Sequence, residues 1–167
     1  MKKSLLVFLQ LFLSLFLFMS CELFFESGVT FNDETFEKEY KLWKETDLSD
    51  YSFIYSNQDT SFGYIMLKIT VSEGIGSSEA LDEYSKHYDK IKSIDDVFEY
   101  IKERKSELES LRDNNKRYEF SMTFDETYHY PLKIEINTEH RYHSFGTTAG
   151  YYYETITVSD FLDSSKP

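Results

Sequence analysis

Cys21 is the only cysteine of this sequence and the residue with the most distinctive chemistry. It follows two early lysines, a largely apolar run over residues 5–19 and the small residue Ser20. A charged start, an apolar run and a small residue before the cut are the parts of a secretory signal peptide. A single thiol cannot close an intramolecular disulfide or build a cysteine metal cluster. Cys21 is therefore a candidate for covalent modification at the end of a signal peptide that covers residues 1–20.

The sequence "FMSC" around this cysteine resembles the lipobox of bacterial lipoproteins, with Phe18 and Met19 in place of the residues usual there. The resemblance implies that the Cys21 thiol receives a diacylglyceryl group, that the chain is cut before it, and that the new amine is often acylated. The alternative is an uncleaved membrane-spanning helix that continues to Phe25, with Glu22 near its end. Both interpretations place the rest of the chain in the cell envelope, outside the cytoplasm, and leave open which membrane holds it.

The charge of the chain argues against some classes of partner. The 167 residues include 30 Asp and Glu against 18 Lys and Arg, for a formal charge of −12. Residues 1–20 hold two lysines and no acid, so their removal lowers that charge to −14. Such a chain is not expected to bind nucleic acid or to adsorb to anionic lipid by charge. We expect a monomer attached to a membrane through a lipid at Cys21, with an unknown protein or envelope ligand as partner.

His140 and His143, in "NTEHRYHSFG", have a spacing that a metal site could use. A zinc site needs three or four ligands and hydrogen bonds that orient them. The other candidates are Glu139, His129 and His87, and their spacing does not place them beside this pair. The segment is also typical of a polar hairpin loop. We predict no metal and no cofactor.

The sequence contains no recognisable catalytic motif. "GIGSSE" follows a predicted strand but lacks the third glycine of a dinucleotide loop, so we predict a turn there. No nucleophile elbow, metalloprotease motif, P-loop or EF-hand pattern occurs. Carboxylates are abundant, and their closeness in sequence is no evidence of an acid–base pair. We predict a binding or structural domain without catalytic residues; the alternative is a secreted or membrane-anchored enzyme that acts on an envelope substrate.

Tyrosine is frequent, with fourteen residues and three in a row at 151–153. Successive side chains of a strand point to opposite faces. Ile156 and Val158 would occupy the buried face, so Tyr151 and Tyr153 belong to the other one. Tyrosine favours strands, and it also offers a large contact area at low entropic cost. We therefore predict Tyr151 and Tyr153 as a possible partner-binding surface.

Two helices are predicted to support these residues. The first is predicted to begin near Asn32, which is a good N-cap and is followed by acids and by an apolar stripe of helical spacing. The second is predicted to begin at Ser93, because Ser93 and Asp96 match a capping-box pattern and a longer apolar stripe follows them. Residues 78–87 could form a weak helix or a loop. Alternating residues predict strands over 50–57, 61–74, 117–124, 132–136 and 151–161.

Four segments carry a second resemblance: "YSFIYS", "SIDDVFEYI", "MTFDETYHYPLKIEIN" and "YYYETITVSDF". Together they resemble domain-of-unknown-function family 6174, a family of small bacterial lipoproteins and secreted proteins, over most of residues 43–161. His129 stands where that family prefers Gly, and Phe124 stands where Tyr is usual. The resemblance implies an α+β fold and an envelope location, and it implies no activity.

The order of the elements predicts the fold class. Strands that neighbour one another in sequence favour an antiparallel sheet with helices on one face. We predict an α+β fold with an antiparallel sheet of about five strands and two helices packed on one face, after a cleaved signal peptide. The predicted segments are a signal peptide over residues 1–20, a short tether over 21–31 and a single domain over 32–163.

Overall fold

A computed structural model of the chain describes residues 27–60, 63–111, 115–140 and 152–164. Seven strands and two α-helices form the fold, with one 3₁₀ turn at Tyr84–His87. The helices are α1 (Asp33–Glu45) and α2 (Ile94–Ser110). The strands are β1 (Gly28–Thr30), β2 (Tyr51–Asp59), β3 (Gly63–Ser72), β4 (Ile75–Ala80), β5 (Lys116–Phe124), β6 (Pro131–His140) and β7 (Tyr153–Asp163).

The strands form one mixed sheet in the order β1-β5-β6-β7-β2-β3-β4. Every neighbouring pair is antiparallel except β1 and β5, which run parallel. The prediction of an antiparallel sheet of about five strands is therefore wrong, although the α+β class is right. The two strands that were missed are the edges of the sheet. β1 has three residues, too few for a periodic pattern, and β4 ("IGSSEA") has little apolar alternation because an edge strand buries little side-chain area.

Local hydrogen bonds explain where the helices begin. Asn32 Oδ1 accepts a hydrogen bond from the backbone N–H of Thr35 at 3.0 Å. Ser93 Oγ accepts from the backbone N–H of Asp96 at 3.2 Å, and Asp96 Oδ2 accepts from the backbone N–H of Lys92 at 2.8 Å. Each contact supplies a partner to a backbone N–H that has none within the helix. Both predicted helix starts are confirmed.

Residues 78–87 are not the weak helix that was one of the two predictions. Their first three residues complete β4, and a single 3₁₀ turn follows. Asp82 holds that turn, since its carboxylate accepts from the backbone N–H of Ser85 at 2.9 Å and from Ser85 Oγ at 2.6 Å. Ser85 Oγ in turn accepts from the backbone N–H of Met66 in β3 at 2.8 Å. The turn is thereby fixed to the sheet.

A single hydrophobic core joins both helices to one face of the sheet. Alternate residues of the central strands point into it, as the period of a strand requires. Phe36 and Trp43 of α1 and Phe98 of α2 are buried in the same cluster. The fully buried side chains include Tyr55, Phe53, Leu67, Ile69, Ile134, Ile136 and Ile156 from the sheet. No helix within the described ranges is long and apolar enough to span a membrane.

Candidate functional site

The structure describes some of the predicted site residues and not others. Cys21, His143 and Tyr151 lie outside the described residues, and so does the side chain of His140. Tyr153 is described: it lies on the face of β7 opposite the core, is half-buried, and its hydroxyl donates to Glu135 Oε1 at 3.2 Å. Lipidation at Cys21 and partner binding at Tyr151 and Tyr153 remain predictions.

His129 contacts Glu39 of α1, with 2.7 Å between Nδ1 and Oε2. Its backbone φ is 64°, in the left-handed region, and its N–H donates to the Asp125 carbonyl at 3.0 Å. Within the described part of the chain, no three His, Cys, Asp or Glu side chains converge as metal ligands. The histidine closes a turn between β5 and β6.

The segment "GIGSSE" forms a tight turn and an edge strand. Gly74 has a φ of 76° in the turn, and Ile75 begins β4. A Cβ on Gly76 would lie 2.0 Å from the Lys92 carbonyl oxygen, so only glycine fits there. The predicted turn covers the first glycine, and the second is required by close backbone packing.

Glu154 of β7 is the centre of a buried polar cluster that the sequence did not reveal. Its side chain is fully buried. Its Oε1 accepts from Asn57 Nδ2 at 2.9 Å and from the Tyr100 hydroxyl at 2.8 Å. Its Oε2 accepts from Arg104 Nε at 2.9 Å and lies 2.5 Å from the Tyr152 hydroxyl. The carboxylate is thus surrounded by donors, which is the condition for burying a charge.

Sheet register and helix period bring these groups together. Asp59 of β2 pairs with Glu154 across the ladder, and Asn57 lies two residues earlier on the same face. Tyr100 and Arg104 are four residues apart on α2, so they share one face of the helix. Tyr152 adds its hydroxyl at 2.7 Å from Asp59 Oδ2 and in hydrogen-bond contact with the Arg104 guanidinium.

A cavity of about 400 Å³ opens beside this cluster, between α2 and the ends of β2 and β3. Its lining includes Asn57, Asp59, Ile65, Tyr88, Tyr100 and Arg104; we call it the Asn57 cavity. A cleft of about 340 Å³ adjoins it, shares Lys90 and Tyr100 with it and is bordered by Asp96, Glu99 and Glu103. Ligand pockets in proteins start at about 300 Å³, so the cavity is large enough for a small molecule.

Comparison with known protein families shows which family the chain belongs to. The profile of a family of unknown function, DUF6174, matches residues 35–149, which is more than half of the sequence. The chain belongs to this family. Neither the curated proteins nor the solved structures contain a match.

The region of this DUF6174 protein that matches the family profile ends before Glu154. It includes Asn57, Tyr100 and Arg104 of the cluster but not the Glu154 carboxylate at its centre. It includes His129, whose left-handed backbone conformation explains why glycine suits that position. A histidine there must accept the strain that glycine avoids.

The ionisation of the cluster is set by burial and by its charges. Burial raises the pKa of Tyr100, and the charge of Glu154 raises it further. Burial and the hydrogen bonds to Glu154 and Asp59 raise the pKa of Tyr152. Burial alone would lower the pKa of Arg104, but the hydrogen bonds to Glu107 and Tyr152 and the charge of Glu154 outweigh it. At neutral pH the tyrosines stay protonated and Arg104 stays charged.

Sequence reasoning missed this cluster for a plain reason. Asn57, Tyr100 and Glu154 are separated by 43 and 54 residues, and no short motif joins them. One signal was available: Glu154 shares the parity of Ile156 and Val158 in β7, so an acid was placed on the buried face. An acid at such a position needs partners from elsewhere in the fold.

Proposed function

We propose that this protein is an envelope lipoprotein, anchored by a lipid at Cys21, whose α+β domain binds a ligand and does not catalyse a reaction. One observation carries the binding function: the Asn57 cavity is bordered by a buried, positioned cluster of polar groups. A concave site with a few fixed polar groups is the usual form of a ligand-binding site.

The chemistry of the cluster favours binding over catalysis. A general acid or base works best with a pKa near the operating pH. The pKa values of Tyr100, Tyr152 and Arg104 all lie above their ordinary ranges, away from neutrality. These groups hold hydrogen bonds and charge in fixed places. The alternative of an enzyme that acts on an envelope substrate has no specific support among the described residues.

The position of β1 relates the anchor to the cavity. Gly28 follows Cys21 by seven positions, and a fully extended chain of that length spans about 25 Å at most. Gly28 pairs with Arg117 at the start of β5, and Glu154 lies near the same end of the sheet, at the start of β7. With a lipid on Cys21, the end of the sheet that holds Glu154 would face the membrane surface at short range.

The anchor is tested by metabolic labelling. Cells that express the full chain and are fed a labelled fatty acid should incorporate label into this protein, and Cys21→Ala should abolish incorporation because the acceptor thiol is gone. Ser20→Ala serves as the control, since it keeps a small residue before the cut. Label retained by Cys21→Ala, or a mature protein that still carries residues 1–20, contradicts the anchor.

The binding function is tested on protein isolated gently from the envelope. Native mass spectrometry should show a small molecule that leaves on denaturation. Tyr88→Trp, which fills the cavity, should reduce its occupancy, whereas Tyr84→Trp, at an 88% exposed position outside the cavity, should not. Equal occupancy in the two variants contradicts a ligand in the Asn57 cavity.

A further inference from the structure

We propose that the Asn57 cavity takes a neutral sugar ring, whose hydroxyl groups hydrogen-bond to the Asn57 carboxamide oxygen and to the Tyr88 hydroxyl. This inference rests on the proposed binding function and names the chemical class of the ligand. It follows from three buried polar atoms that have no hydrogen-bond partner in the described part of the chain, and from the residues that line the cavity.

Asn57 supplies a buried acceptor at the cavity. The residue is 4% exposed, and its Oδ1 has no hydrogen-bond partner among the described residues. Its Nδ2 donates to Glu154 Oε1 at 2.9 Å and to the Tyr100 hydroxyl oxygen at 3.2 Å. Turning the amide over would set its oxygen against the Glu154 carboxylate, so Oδ1 keeps its place. A buried acceptor without a donor is costly, and a ligand that donates to it removes that cost.

Tyr55 and Tyr88 supply two hydroxyls beside Asn57. Tyr55 precedes Asn57 by two residues on the same face of β2, and its ring stacks on that of Tyr88 with 6.3 Å between the centroids. Neither hydroxyl makes a hydrogen bond to the described residues. A bond between the two would still leave one of their hydrogens without an acceptor. Tyr88 also lines the cavity, and its ring can turn to admit a ligand because no hydrogen bond holds its hydroxyl.

The chemistry of these three atoms favours a neutral hydroxyl group as their partner. The amide oxygen needs a donor, whereas each tyrosine hydroxyl has a hydrogen to donate. An ammonium group only donates and a carboxylate only accepts, so neither ion serves both needs. A ligand hydroxyl serves both, because it can accept from Tyr88 and donate to Asn57.

The charged residues of the cavity do not select an ion. They are two cations, Lys90 and Arg104, and two acids, Asp59 and Glu107. Arg104 pairs with Glu107 at 2.7 Å and with the buried Glu154 at 2.9 Å. A cleft lined by one sign of charge concentrates ligands of the opposite sign, and this lining contains both signs.

The walls of the cavity fit a ring that is polar at its edge and apolar on its face. Ile65 is the one aliphatic side chain among the described lining residues, so most of the ligand surface must be polar. The rings of Tyr88 and Tyr100 offer flat surfaces on which the C–H face of a sugar can pack. A pyranose combines such a face with hydroxyls around its edge. The volume of about 400 Å³ is in the range of small-molecule sites.

The test is an NMR titration of the Asn57 side-chain amide in the full-length protein, in a polyoxyethylene detergent that carries no sugar. The probes are the methyl glycosides of glucose, galactose and mannose. Glucosamine and glucuronate are their charged counterparts at slightly acidic pH, and cyclohexanol is a ring with a single hydroxyl. The tightest methyl glycoside should bind on the order of tenfold more tightly than glucosamine, glucuronate or cyclohexanol.

Two tyrosine variants provide a matched pair. Tyr88→Phe removes the hydroxyl and keeps the ring, so it should weaken binding of the tightest glycoside about tenfold. Tyr84→Phe, at an 88% exposed position outside the cavity, should leave binding unchanged. Without ligand, Tyr88→Phe should unfold at the same or a higher temperature than the unsubstituted protein, because it removes a buried hydroxyl that has no partner among the described residues. Asn57→Ala should weaken binding about tenfold, in a protein whose thermal unfolding shows that it is folded.

The outcomes separate the two proposals. If glucosamine, glucuronate or cyclohexanol binds as tightly as the tightest methyl glycoside, the sugar class is wrong and the binding function stands. If no probe shifts the Asn57 amide, the sugar class is wrong, and the native mass spectra decide the binding function independently. If Tyr88→Phe lowers the unfolding temperature, its hydroxyl has a partner in the fold and the hydrogen-bond argument is overturned. Where a glycoside binds, the mass of the molecule released on denaturation distinguishes a free sugar from a fragment of an envelope glycan.

Discussion

Arg104 of α2 and Glu154 of β7 form an ion pair of 2.9 Å between Nε and Oε2, with the Glu154 side chain fully buried. Removing one partner of a buried pair leaves an uncompensated charge and costs about 3–5 kcal/mol. We therefore expect Arg104→Met to lower the free energy of unfolding by about that amount, as measured by urea denaturation. Lys105→Met, which breaks pairs with the exposed carboxylates of Asp33 and Glu109, should cost about 1 kcal/mol or less.

A double variant separates the buried charge from the lost contact. Arg104→Met combined with Glu154→Gln removes both charges and keeps an oxygen that can accept from Asn57 and Tyr100, so it should recover most of the stability that Arg104→Met alone loses. Additive losses in the two single variants and the double variant would show that the pair is not coupled.

The turn between β5 and β6 gives a prediction about backbone strain. His129 adopts a φ of 64°, a conformation that costs a non-glycine residue about 1–2 kcal/mol. His129→Ala and His129→Gly both lose the contact with Glu39, so the contact cancels in their comparison. We expect His129→Gly to be more stable than His129→Ala by about 1 kcal/mol in urea denaturation. Equal stability would mean that the turn rearranges when the imidazole is removed.

The tyrosine surface gives a prediction about β7. Replacing Tyr151 and Tyr153 together with Ser should cost about 1 kcal/mol or less, because Tyr153 lies on the outer face and is only half-buried. Recovery of a partner by cross-linking and pull-down from intact cells should fall. Tyr152→Ser is the control on the core side, and it should cost more because it removes contacts to Asp59 and Glu154. If the double variant unfolds, or if it still recovers its partner, then Tyr151 and Tyr153 do not form a partner-binding surface.

Buried tyrosines predict loss of stability in alkali. Burial raises the pKa of Tyr51 from 10.0 to about 12, and burial with the charge of Asp125 does the same for Tyr130. A pKa raised in the folded state stabilises the fold below the unfolded pKa of 10.0, and that contribution disappears as the pH rises toward 12. Each of the two should account for about 1 kcal/mol lost by pH 11.

Urea denaturation at pH 8 and at pH 11 measures this loss. Tyr51→Phe should reduce the difference in the free energy of unfolding between the two pH values by about 1 kcal/mol. Tyr84→Phe should leave it unchanged, because that side chain is 88% exposed. A difference that Tyr51→Phe does not alter would show that Tyr51 ionises at the same pH in the folded and unfolded chain.

The elements that depend on local interactions could be predicted from the sequence. Asn32 and Ser93 cap helices through contacts three residues away, and such contacts need no tertiary structure. Apolar and polar side chains alternate along β2 because only one face of the strand is buried. Its pairing with β3 needs only a short turn between the two strands. The family was also recognisable, because its motifs are continuous segments.

The edges of the sheet could not be predicted in the same way. β1 acquires its strand conformation from pairing with Arg117, Tyr118 and Glu119 of β5, which lie almost ninety residues later. β4 is a strand because β3 offers it a ladder of partners. An edge strand gains its stability from backbone hydrogen bonds, and these are the same for any side chain, so they leave little trace in the residue pattern.

The candidate site depended on tertiary structure for the same reason. The residue types at 57, 100, 104, 152 and 154 are ordinary for a polar strand or an exposed helix face. Sheet register places Asp59 opposite Glu154, and packing of α2 brings Tyr100 and Arg104 over them. Local sequence specifies which face a side chain takes, through the periods of helix and strand. Only the packed fold specifies which distant side chains meet, because burial forces each unpaired charge to find a partner.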